Sequence, residues 1–120
     1  MTAPTKTAKT LLTSQSLAAG ASISITEWDL SGKWGGILFI KITNGSSAPT
    51  TAPTVKFYAG ENSGVKRQTY VVSGDTVNSS ISEPWFEYSI GFMFANATIT
   101  NGATNAITVE AYGQEVTSVA

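Results

Sequence analysis

The sequence predicts an all-β fold, an antiparallel sandwich of about seven or eight short strands. Apolar residues recur at every second position in several segments, and turn-forming residues separate these segments at a spacing of roughly 8–12 residues. No window has helical periodicity, so no crossover helix is available to connect parallel strands. We therefore expect two antiparallel sheets packed face to face, with jelly-roll and immunoglobulin-like topologies both open.

The alternation is clearest in the shorter predicted strands. Residues 21–26 place Ile23 and Ile25 on one face and hydroxyl side chains on the other, as in a half-buried strand. The same two-residue period appears in residues 54–59, 67–73 and 106–112.

Residues 37–43 form a predicted strand that is apolar on both faces, because Ile37 and Phe39 oppose Leu38 and Ile40. Burial on both sides requires a second covering layer over Ile37 and Phe39, either a loop or another subunit. The low charge of the chain favours a subunit.

Residues 84–100 contain the densest apolar pattern. Five large residues occur at every second position: Phe86, Tyr88, Ile90, Phe92 and Phe94. Beyond them the apolar positions shift by one, to Ala97 and Ile99. We expect a bulge or corner near residues 95–96, or a strand that passes between the two sheets there.

The length of 120 residues fits one domain. Residues 1–10 are polar, contain Pro4 and carry Lys6 and Lys9, so they are predicted to be a flexible N-terminal arm, or an arm that orders on a neighbouring subunit. Residues 11–120 are predicted to be the single sandwich domain. The N-terminus lacks a secretory signal pattern and no apolar run is long enough to span a membrane, so we expect a chain made in the cytoplasm with no membrane partner.

The composition argues against an enzyme. The chain has no cysteine and no histidine, so it lacks disulfides, thiolate metal ligands and the commonest general base. We expect no catalytic residue, no cofactor and no metal. The carboxylate pairs Glu27/Asp29 and Glu83/Glu87 could reach a glycosidase separation, but the pattern favours solvated strand faces. The seven basic residues are scattered and the net charge is -1, so no nucleic-acid partner is expected.

Trp28, Trp34 and Trp85 lie in or beside predicted loops. They can be core residues that close the ends of the sandwich, anchors in a protein interface, or a platform on which a sugar stacks. The sequence leaves all three open.

Two segments carry a resemblance to a known class of proteins. Residues 17–25 (LAAGASISI) and residues 97–111 (ATITNGATNAITVEA) resemble strands of small structural proteins of tailed bacteriophages. These include capsid decoration (cement) proteins and related head-fibre or tail modules. The resemblance implies a β-sandwich that forms homotrimers, binds the major capsid protein or another virion protein, and resides in the virion.

The first functional hypothesis is therefore a decoration protein that binds an assembled phage capsid and stabilises it. The alternative is a carbohydrate-binding or receptor-binding module of a phage fibre or tail, with a glycan as partner. The residues predicted to contact a partner are Lys6, Lys9, Trp28, Trp34, Ile37, Phe39 and Trp85.

Overall fold

A computed structural model describes residues 3–118 of the chain. It contains two five-stranded antiparallel sheets that pack against each other, which confirms the predicted sandwich. The ten strands are β1 (Thr5–Leu17), β2 (Ser22–Ser24), β3 (Trp28–Asp29), β4 (Gly36–Asn44), β5 (Thr54–Gly60), β6 (Arg67–Ser73), β7 (Ile81–Ser82), β8 (Trp85–Tyr88), β9 (Phe94–Thr100) and β10 (Ile107–Ser118).

The first sheet has the order β1–β10–β4–β7, and β8 also pairs with β4. The second sheet has the order β2–β9–β5–β6, and β3 also pairs with β9. The strand number exceeds the predicted seven or eight because several segments at the sheet edges form short strands of two to four residues.

The core lies between the two sheets and is built from the inward half of each alternating pattern. In β4, Leu38, Ile40 and Ile42 are fully buried, and in the second sheet Phe57 and Ile99 face them. The other half of β4, which includes Ile37 and Phe39, lies on the outer face and is only partly buried. One apolar side of β4 therefore lies in the core, and the other lies on the outer face of the first sheet.

Strand β1 corrects the predicted N-terminal arm. Residues 5–10 belong to β1, which pairs with β10 from Thr5 opposite Ser118 to Leu17 opposite Ile107. Threonine is frequent here and favours extended structure, and β10 offers an edge that satisfies the backbone of this polar segment. Met1 and Thr2 of the predicted arm, and Val119 and Ala120 of the predicted domain, lie outside the described residues.

The chain crosses between the sheets earlier than predicted. Strand β8 ends at Tyr88 in the first sheet, residues 89–93 turn, and β9 starts at Phe94 in the second sheet. The Phe92 N–H donates to the Ser89 carbonyl (3.0 Å) within this turn. The shift in apolar positions therefore reflects two separate strands, and the predicted change at residues 95–96 lies inside β9.

The two long sides of the sandwich differ. On one side the sheets are joined by a backbone hydrogen bond from the Thr26 N–H to the Leu11 carbonyl (3.0 Å). On the other side, β6 and β8 share no backbone hydrogen bond within residues 3–118. This second side is therefore open.

Deleting residues 1–10 is expected to destabilise the fold. The deletion removes half of β1 and also Lys9, whose Nζ lies 3.4 Å from Oε1 of the buried Glu115. The second cation near that carboxylate, Lys33, lies farther away at 4.0 Å. Loss of a partner of a buried charge should lower the free energy of unfolding by about 2 kcal/mol or more, measured by urea denaturation.

The matched control is Lys6→Ala, because Lys6 lies on the outer face of the same strand. This variant should unfold at nearly the wild-type urea concentration. A truncated chain as stable as the full chain would show that residues 5–10 contribute nothing and would contradict the β1 assignment.

Candidate binding face

The outer face of the first sheet carries a row of aromatic side chains across three adjacent strands. Phe39 on β4 lies opposite Trp85 on β8 and opposite Tyr112 on β10. Opposed residues point to the same side of a sheet, and adjacent strands are about 4.8 Å apart, so the row spans roughly 10 Å. Trp85 is 57% exposed and Tyr112 is 39% exposed, so the row is open to solvent.

A cleft of about 410 Å³ lies beside this row. Ile37, Glu87 and Gln114 contribute to its wall, one step along the strands from the aromatic row. Lys6 from β1 and Trp34 from the loop before β4 complete the same wall. The cleft therefore extends the apolar surface towards one end of the sheet and places a cation there.

Local backbone structure brings Trp34 to this place. The Trp34 N–H donates to the Val116 carbonyl (2.8 Å), and the Val116 N–H donates to the Gly35 carbonyl (2.9 Å). Gly35 has a φ of 98°, and a Cβ there would lie 2.5 Å from the Tyr88 carbonyl oxygen. Glycine is therefore required at position 35, and Trp34 is held at the sheet margin with 49% of its surface exposed.

The charged groups lie around the aromatic residues. Glu87 and Glu110 are on β8 and β10, and Lys41 lies opposite Glu110 on β4. The Tyr112 hydroxyl donates a hydrogen bond to Glu110 Oε1, which raises the pKa of Tyr112. This bond orients the tyrosine ring at the end of the row.

We call this surface the binding face and define it by Lys6, Trp34, Ile37, Phe39, Trp85 and Tyr112. Five of the seven residues predicted from sequence to contact a partner lie on it: Lys6, Trp34, Ile37, Phe39 and Trp85. They come from three separate segments of the chain, β1, residues 34–39 and β8, and meet on one sheet surface.

Trp28 requires a correction. It is only 1% exposed, and its ring packs edge-on against Tyr88 with centroids 6.4 Å apart. It is therefore a core residue that no partner can reach. Of the three interpretations of the tryptophans, the core one holds for Trp28 and fails for Trp34 and Trp85.

Lys9 also lies away from the binding face. Lys6 and Lys9 are three residues apart on a strand, so their side chains point to opposite sides. Lys6 lines the cleft, whereas Lys9 pairs with Glu115 on the inward side of the sheet.

Tyr112 is the member of the face that sequence reasoning missed. The alternation of residues 106–112 places Tyr112 on the polar side of its strand, together with Glu110. What the pattern does not reveal is that β10 lies beside β4, which brings Tyr112 next to Phe39.

One carboxylate pair considered from the sequence has a structural role. Glu27 accepts hydrogen bonds from Ser63 Oγ and the Gly64 N–H, and the Ser63 bond is the main cause of its lowered pKa. Asp29 accepts bonds from the hydroxyl and N–H of Ser31, which likewise lower its pKa. Glu27 therefore stabilises the turn at Ser63 and Gly64, and Asp29 stabilises the loop at Ser31.

Within residues 3–118, no three metal-binding side chains lie close enough together to hold an ion. The same residues contain no helix with the length and hydropathy of a membrane-spanning segment.

Comparison with known proteins shows the fold and no family. No protein-family model matches the sequence, and no curated protein matches it at the sequence level. A solved structure from Bacillus endospore appendages, described as disulfide-linked pili, aligns over 97% of this chain and 91% of its own, with a TM-score of 0.57 and 15% identity.

Two further solved structures come from viral sources. The SPBc2 prophage-derived protein YomS aligns over 96% of both chains with a TM-score of 0.50 and 21% identity. A chain of infectious bursal disease virus, Gx strain, aligns over 93% of this chain and 32% of its own, with a TM-score of 0.56 and 7% identity. At these identities the likeness establishes a shared β-sandwich fold.

Proposed function

We propose that this protein is a non-catalytic decoration protein that binds an assembled phage capsid through its binding face. The observation that carries the proposal is the solvent-exposed row of Trp85, Phe39 and Tyr112, extended by Trp34 and Ile37. Aromatic residues are enriched in protein interfaces, with polar and charged groups at the rim. The binding face has this arrangement, with Lys6, Lys41 and Glu87 around its apolar centre.

The identity of the partner as a protein shell is supported by the composition of the chain. Only 12% of its residues are charged, which is low for a protein surface that stays in solvent. The resemblance of residues 17–25 and 97–111 to phage structural proteins favours a virion as the place where such a surface is covered. We also propose that this protein forms a homotrimer around a symmetry axis of the capsid.

The proposed mechanism is mass action. A protein that binds the assembled shell and not its separated subunits stabilises the shell, in proportion to the logarithm of its free concentration over Kd. No catalytic step is needed, which agrees with a chain that contains neither histidine nor cysteine.

A co-sedimentation experiment with capsids of the source phage tests the binding face. Trp85→Ala is expected to weaken capsid binding at least tenfold, because a tryptophan that becomes buried in an interface commonly contributes about 2 kcal/mol or more. Val77→Ala is the matched control, since Val77 is 60% exposed and lies outside the binding face. Equal capsid occupancy by the two variants would contradict the proposal.

A glycan-binding module is the second candidate, and one observation favours it. Trp85 and Tyr112 expose aromatic rings next to the carboxylates Glu87 and Glu110, which can accept hydrogen bonds from sugar hydroxyls. A glycan array combined with tryptophan fluorescence separates the two candidates. Specific glycan binding that Trp85→Ala abolishes, with no capsid association, would replace the first proposal with the second.

A further inference from the structure

The open side of the sandwich contains a groove of about 550 Å³ between β6 and β8. We call it the open-side groove. It is lined by Tyr70, Val72, Glu83, Pro84, Trp85, Phe86 and Glu87. Tyr70 and Val72 lie on β6, and the other residues belong to β8 and the two positions before it.

The groove runs along a strand edge with free hydrogen-bonding groups. The Ile40 N–H donates to the Pro84 carbonyl (2.9 Å), so alternate residues of the β8 segment bond to β4. The backbone groups of Trp85 and Glu87 consequently point away from β4. No other strand in residues 3–118 pairs with this edge of β8.

Aromatic and aliphatic side chains form the floor of the groove. Tyr70 stacks near Phe86 with ring centroids 6.2 Å apart, and both rings lie near the buried Phe57. Tyr70 is nevertheless 48% exposed, because no strand closes this side of the sandwich. An occupant could therefore cover apolar surface and bond to the β8 edge at the same time.

The charge of the groove is negative. Glu83 and Glu87 are at its wall, and neither takes part in the ion pairs formed within residues 3–118, which use Glu61 and Glu115. The groove lining includes no lysine or arginine. A basic occupant would therefore be complementary to it.

We propose that the open-side groove binds an extended peptide segment of a partner protein, which adds a strand to the free edge of β8. The segment places apolar side chains against Tyr70 and Phe86 and a lysine or arginine beside Glu83. Since β8 has four residues, the paired part of the segment is about four residues, or roughly 13 Å, long. The groove adjoins the proposed capsid attachment and shares Trp85 with it, whereas Tyr70 and Glu83 line only the groove.

The test starts from a displayed library of random eight-residue peptides selected on the folded, immobilised chain. The selected peptides are expected to have apolar residues at every second position and to contain a lysine or arginine. Their binding is then measured by fluorescence polarisation against the wild-type chain, Glu83→Gln and Asn62→Lys. Glu83→Gln should weaken binding about fivefold, whereas Asn62→Lys, which changes the net charge equally at an exposed distant site, should leave it within twofold.

A backbone-methylated copy of the best peptide tests strand addition directly. Methylating two alternate amides removes two hydrogen bonds and should weaken binding about tenfold or more. The proposal would be overturned if the chain retained no peptide from the library. It would also be overturned if neither methylation nor Glu83→Gln changed the affinity of the selected peptides. A glycan that competes with the selected peptides for the groove would overturn it as well. Tyr112→Ser alters the binding face on β10, which does not pair with β8, and should leave peptide binding unchanged, so the two proposals can fail separately.

Discussion

Replacing Trp28 with alanine is expected to lower the free energy of unfolding by about 3–5 kcal/mol, the largest effect of any single substitution proposed for this chain. Trp28 is fully buried in the core, and its ring packs edge-on against Tyr88. Two glycines make room for its ring. A Cβ at Gly36 would lie 2.6 Å from the indole Cη2, and a Cβ at Gly113 would lie 2.9 Å from it. The main chain at both glycines thus lies directly against the indole, so Trp28→Ala is expected to leave a cavity there.

Urea denaturation followed by far-ultraviolet circular dichroism measures this effect. Trp34→Ala is the matched control and should change stability by less than about 1 kcal/mol, because Trp34 is half exposed. Trp28→Phe should lower the free energy of unfolding less than Trp28→Ala does. Phenylalanine retains an aromatic ring and removes an indole N–H that has no hydrogen-bond partner within residues 3–118. Equal losses for Trp28→Ala and Trp34→Ala would contradict the assignment of Trp28 to the core.

Asn101→Ala is expected to lower the free energy of unfolding by about 3 kcal/mol. Asn101 is 4% exposed and follows the last residue of β9. Its Nδ2 donates to the carbonyls of Leu17 (3.1 Å), Ala18 (3.3 Å) and Asn105 (2.9 Å), and its Oδ1 accepts from the Gly102 N–H (2.7 Å). Alanine leaves several of these buried groups without a partner, and each unsatisfied group costs about 1–3 kcal/mol.

Asn62→Ala provides the comparison for Asn101, because Asn62 is exposed in a turn. The free energy of unfolding of Asn62→Ala should lie within about 0.5 kcal/mol of the wild-type value. Asn101→Ala should also raise amide hydrogen exchange in β1 near Leu17, where the lost hydrogen bond joins the two segments. Wild-type stability and exchange in Asn101→Ala would show that this side chain does not hold the end of the sandwich together.

The alternation of apolar residues was sufficient to predict the sandwich and the apolar faces of β4, β5 and β10 that form the core. It also placed Ile37 and Phe39 on the face opposite Leu38 and Ile40, as the structure shows. These properties depend only on the two-residue period of a strand, which is local.

Properties that depend on strand pairing could not be predicted in this way. The polar residues 5–10 resemble a free arm until β10 is known to lie beside them. Phe94 continues the period of Phe86 and Tyr88 although a turn separates them into different sheets. Tyr112 joins the aromatic row only because β10 neighbours β4. In each case the deciding contact links residues that are distant in sequence, so local pattern carries no information on it.

Electron cryomicroscopy of capsids of the proposed source phage, incubated with this protein, tests the proposed capsid binding most directly. We expect the first sheet to lie against the shell, with Trp34, Phe39 and Trp85 at the contact and the second sheet facing solvent. A reconstruction in which the outer face of the second sheet touches the shell and Trp85 points into solvent would contradict the account, as would capsids of that proposed phage that the protein does not bind.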